Sequence, residues 1–137
     1  MTNDFEQTEN ILYEYKNFES LNKIAIAKIK WLNNDIELYA INYDEETEPI
    51  HNILAYEENI KRIIRKIESE IDRRNNQKEK INDILALLDD DERKLITLRY
   101  FSKPVQSWAS IAQNLNHTSD NCIKKRRKII KKITELL

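Results

Sequence analysis

At 137 residues, with 40% apolar and 34% charged side chains, the chain is long enough for one or two small domains with cores of their own and too short for most multi-domain enzymes. It holds no glycine and two prolines, Pro49 and Pro104, which excludes P-loop and dinucleotide-binding loops, because both need glycine to bring backbone amides up to phosphate. The formal net charge of −1 hides an asymmetry: positions 1–60 carry 13 acidic and 4 basic residues, positions 61–101 carry 9 and 11, and positions 102–137 carry 2 and 8.

An acidic front and a basic end predict that the C-terminal third meets a polyanion while the N-terminal half does something else. The lone Cys122 forms no internal disulfide, the opening MTNDFEQTEN lacks the basic-then-apolar build of a signal peptide, and no apolar run approaches a membrane span. The expectation is an all-α, cytoplasmic protein with no membrane partner.

In chain order, Ile11, Tyr15, Phe18, Asn22, Ala25, Ile29, Leu32, Ile36, Tyr39 and Tyr43 follow a 4,3,4,3 spacing, which predicts one long helix with a heptad-like seam. The acidic segment YDEETEP, ending in Pro49, interrupts it. A second seam runs through Ile53, Ile60, Ile64, Ile67, Ile71, Ile81, Leu85 and Leu88. The short linker favours an antiparallel hairpin of the two helices, and the same pattern equally serves a dimer. Residues 1–88 are therefore expected to form a coiled-coil-like helical hairpin for oligomerisation or partner binding.

Residues 89–137 are expected to form a helix-turn-helix domain. Asp89 with Glu92 three positions later fits a capping box, so a helix starts near Asp90 and carries Leu95, Ile96, Leu98, Tyr100 and Phe101. After the break SKPVQ, Ser107 caps a helix from Trp108 to about Leu115, with Trp108, Ile111, Ala112 and Leu115 on its inner face. Only NHT separates it from the last helix, and Asn116 can take the left-handed conformation that glycine takes elsewhere. Thr118 or Ser119 caps the last helix, on which Cys122, Ile129, Ile133 and Leu136 point inward, with Arg126 interrupting the stripe. Ser119, Asp120, Asn121, Lys124, Lys125 and Lys128 look outward, an order that suits a helix whose first turn enters a major groove while its lysines hold phosphates.

The stretches LDDDERKLITLRYF and SWASIAQNLNHTSDNCIKKRRKII resemble region 4 of sigma factors over Leu88–Leu137. The whole layout is similar to the small phage transcriptional regulators of Gram-positive bacteria of the RinA and ArpU type, through Tyr100, Phe101, Ser107 and Trp108. The resemblance implies a DNA-binding regulator of phage or prophage late genes in a bacterial host cell, with double-stranded DNA as partner; the N-terminal helices are expected to contact each other, another copy in a homo-oligomer, or RNA polymerase. Carried over by position, Ser107, Thr118, Ser119, Asp120 and Asn121 face bases or flanking phosphates, and Lys124, Lys125 and Lys128 the backbone. Two departures stand out: Arg126 occupies a position commonly apolar in sigma-type recognition helices, leaving the register open by one residue, and Asp120 brings a negative charge near the groove. A small-terminase-like packaging protein and a polymerase-binding adaptor without DNA contact are the alternatives.

Other features read as scaffold. Cys122 on the inward stripe is a core residue rather than a redox sensor, and Trp108 anchors the small core. His51 and His117 lack ligand-spaced neighbours, so no metal or other cofactor is expected. Asp89, Asp90 and Asp91 have no accompanying nucleophile and base, so they read as a helix cap and no enzymatic activity is expected.

Overall fold

The structure, a computed structural model, describes residues 3–137 and is entirely helical among them. In chain order the elements are α1 (Asp4–Tyr15), α2 (Phe18–Ile41), α3 (Ile50–Leu87), α4 (Asp90–Ile96) with a π-helical turn (Thr97–Phe101) following it directly, α5 (Trp108–Leu115) and α6 (Ser119–Leu136). No helix among the described residues is long and apolar enough to cross a membrane. The chain divides into two compact units, Glu19–Asn76 on the one hand and, on the other, the residues up to Phe18 together with Gln77–Leu137.

This division corrects two expectations. The seam from Ile11 to Tyr43 is not one helix: α1 ends at Tyr15, the chain turns at Lys16 and Asn17, where the Asn17 amide donates to the Glu14 carbonyl at 2.8 Å, and α2 begins at Phe18. Nor do the units part at residue 88, because α1 and the end of α3 supply core to the C-terminal unit. Leu12, Phe18, Ile81, Ile84 and Leu88 are buried in one cluster with Leu95, Ile96, Tyr100, Ile111, Ala112, Cys122, Ile129, Ile130 and Ile133. The physical reason is area. Helices α4 and α5 are short, 7 and 8 residues, and α1 covers apolar surface on α6 and the π turn that they leave open.

Local chemistry explains each boundary in the C-terminal unit. The Asn3 side chain caps α1, accepting from the Glu6 amide at 2.8 Å. Asp89 and Glu92 form the expected capping box, and the hydrogen bond from the Glu92 amide holds the Asp89 carboxyl below the ordinary carboxylate range. Arg93 then closes the end of α3: its guanidinium donates to the Leu88 carbonyl at 2.8 Å, just past the helix, and at 3.0 Å to the Leu85 carbonyl, which also accepts from the Leu88 amide. Cys122 is fully buried, and desolvation pushes its thiol pKa up, as suits a small core side chain.

In the other unit, α2 and α3 run antiparallel: Asn22 donates to Asn75 at 3.0 Å, and Tyr39 stacks on Tyr56 with ring centroids 4.4 Å apart. The acidic connection is tied down at its base. The Tyr39 hydroxyl bonds the Glu48 carboxylate, which pushes the phenol up to about 12, and the Tyr43 hydroxyl donates to the Glu48 carbonyl at 3.0 Å.

Candidate nucleic-acid interface

The turn between α5 and α6 is built as its residue types require. Asn116 is the one non-glycine residue with positive φ among those described (φ 55°, ψ 41°), the left-handed conformation that asparagine tolerates best after glycine. The His117 amide donates to the Ala112 carbonyl at 3.0 Å and the Asn116 amide to Gln113 at 3.5 Å, which closes α5 in a Schellman arrangement. Thr118 then caps α6, accepting from the Asn121 amide at 3.2 Å, and Ser107 caps α5, accepting from the Ser110 amide at 3.1 Å. Both caps are exposed, and in both the hydroxyl hydrogen is left for an outside acceptor.

Helix α6 has two faces. Cys122, Ile129, Ile130 and Ile133 are buried, whereas Asp120, Asn121, Lys124, Lys125 and Lys128 are exposed and Ser119 is half-buried. The sequence-expected residues Thr118, Ser119, Asp120, Asn121, Lys124, Lys125 and Lys128 thus share one end and side of α6, with Ser107 at the start of α5. The outward stripe also includes Arg127 and Lys131, both exposed, since 120, 124, 127 and 131 follow helical spacing. Neither belongs to the set expected from the sequence, although their 4,3,4 spacing with Asp120 and Lys124 is readable there.

The cations are not equivalent. Lys125 and Lys128 line a shallow pocket with Asp89, Asp91 and Glu92 of the α4 start, and Lys132 pairs with Glu92 at 3.4 Å. Lys125 also approaches the His117 ring at 3.5 Å. Lys124, Arg127 and Lys131 stand clear of this acidic edge and have no ion pair among the described residues, although Arg127 and Lys131 line a second pocket together with Asp4 and Phe5 of α1.

Arg126, the residue that interrupted the apolar stripe, is held by α1. Its guanidinium donates to Glu9 at 2.9 Å, the two side chains being 18% and 19% exposed, and it lies 5.3 Å from the Trp108 ring centroid and 5.4 Å from that of Phe5. The same Glu9 oxygen accepts from the Tyr100 hydroxyl at 2.6 Å; burial, and then this bond, raise the Tyr100 pKa, so the phenol stays a donor. Arg99 also packs on Trp108, its guanidinium 4.4 Å from the ring centroid. Trp108 is half-buried against the core, in keeping with the anchoring role. Arg126 therefore belongs to the interior of the unit, and its register matches the apolar stripe it seemed to break.

Comparisons with family models, curated proteins and solved structures found no match to this chain.

Proposed function

We propose that the protein is a DNA-binding transcriptional regulator whose C-terminal unit is a sigma region 4-like helix-turn-helix, with α6 as the recognition helix. The single observation that carries this reading is the division of α6: one face in the core, and the other presenting exposed Thr118, Asp120 and Asn121, followed by exposed Lys124, Arg127 and Lys131, which form no ion pair among the described residues. A free helix start that exposes short polar side chains fits a major groove, and cations about one to three turns further along fit the flanking phosphates. Ser107 and Thr118, with their free hydroxyl hydrogens, are suited to phosphate contacts. The resemblance to phage regulators of the RinA and ArpU type supports late-gene control as the setting, with RNA polymerase as a further partner and the α2–α3 pair as the hairpin that contacts another protein. The reading is non-enzymatic and needs no cofactor.

The test is selection of bound sequences from a pool of random duplexes. The expected result is an enriched motif that Asn121→Ala changes, whereas Lys124→Ala weakens binding to the motif and to random duplexes alike, by on the order of tenfold. Enrichment of no motif, or equal effects from both substitutions, overturns the assignment of base reading to the start of α6.

A further inference from the structure

The α2–α3 unit buries too little of itself. Among its described residues only Ala25 and Ile64 are buried apolar side chains, whereas Ile24, Trp31, Leu38 and Ile63 are 52%, 59%, 57% and 47% exposed. These are not scattered. Leu21, Ile24, Lys28, Trp31, Asp35 and Leu38 repeat at intervals of 3,4,3,4,3, a second heptad stripe on α2 beside the one that faces α3. Lys28, Trp31 and Asp35 line one side of a groove completed by Leu32, Ile63 and Ile67. A helix that, beside its α3-facing seam, exposes four large apolar side chains on a second stripe, Leu21, Ile24, Trp31 and Leu38, is built for a bundle with more than one neighbour.

The charges on this face specify the neighbour. Lys28 and Asp35 are exposed, opposite in sign, and placed one heptad apart on either side of Trp31; neither forms an ion pair within the described chain. A two-fold axis across α2 at the level of Trp31 and Leu32, with the two copies of α2 antiparallel, sets Lys28 of each copy opposite Asp35 of the other. An isologous contact of this kind satisfies both charges twice over with one surface. We propose that the groove face of the α2–α3 unit is occupied by a second copy of this chain, α2 against α2, forming a four-helix bundle with Trp31 at its centre. The stripe from Leu21 to Leu38 runs about 25 Å, and two helices side by side are about 20 Å wide, so each copy covers on the order of 500 Å². The total of about 1,000 Å² lies at the lower limit for a specific pair, which sets the expected dissociation constant in the micromolar range.

Sedimentation of the full chain without DNA tests this, independently of the nucleic-acid reading. The wild type is expected to dimerise. Lys28→Asp and Asp35→Lys, each alone, bring like charges together and raise the dissociation constant roughly tenfold or more. Mixing the two variants restores association, because each then supplies the charge the other lost; this recovery separates repulsion from misfolding. A wild type that stays monomeric at about 100 µM, where so weak a pair would still associate, overturns the proposal. So does a ring of more than two copies, or a dimer indifferent to either reversal.

Discussion

Asn116 carries the geometry that aims α6, and its backbone conformation is the sharpest local demand in the chain. Replacing it with glycine removes the Cβ that the left-handed region disfavours, whereas valine adds branching there. Asn116→Gly is expected to leave stability within about 0.5 kcal/mol of wild type, and Asn116→Val to lower it by about 1–2 kcal/mol, read from urea unfolding. Equal losses from both would mean that the asparagine side chain matters more than its φ. This residue was legible in the sequence because a three-residue connection without glycine leaves few candidates. Arg126 was not. A positive charge on an apolar stripe reads as a register error until its partner is known, and Glu9, 117 residues away, has no sequence signal that points to it.

At the scale of elements, α1 is the largest departure from what periodicity predicts. Its stripe of Phe5, Thr8, Leu12 and Tyr15 has the 3,4,3 spacing of an amphipathic helix, and Asn3 followed by Glu6 is a readable start. The seam beginning at Ile11 ran through Tyr15 into the α2 pattern, and no proline or glycine marks the break at Lys16–Asn17. Periodicity finds faces but not which neighbour a face meets, so the spacing alone places α1 in the hairpin although it packs in the C-terminal core. The observed placement has a measurable consequence. Leu12 is 1% exposed, so Leu12→Ala should cost about 2–5 kcal/mol in the C-terminal unit. Glu9→Ala, which strands Arg126, should cost about 2–3 kcal/mol, between an exposed and a fully buried pair. Amide exchange along α5 and α6 reads both losses; unchanged protection there would detach α1 from that core. The boundaries of α4, α5 and α6, by contrast, were readable because Asp89, Ser107 and Thr118 announce them by type and spacing.

Across the whole molecule, the charge gradient in the sequence becomes a placement of charge in space. The basic residues of positions 102–137 concentrate on the outward side of α6, and the acidic start of α4 screens one edge, at Lys125, Lys128 and Lys132. Composition predicts a basic C-terminal end but not this internal screening, because Asp89–Glu92 and Lys125–Lys132 meet only through the fold. The second stripe on α2 was hidden for another reason: Lys28 and Asp35 fill two of its positions, so it lacks the apolar continuity by which seams are recognised.

The central claim is that the exposed face of α6 grips duplex DNA through its cations. The most direct measurement is the affinity of the full chain for duplex DNA as a function of salt. With about four phosphates neutralised per copy, the logarithm of the association constant should fall against that of salt with a slope of roughly −3 to −4, and Arg127→Ala should reduce its magnitude by about one. A folded protein that binds neither selected nor random duplex at low salt, or a slope that Arg127→Ala leaves unchanged, would contradict the account.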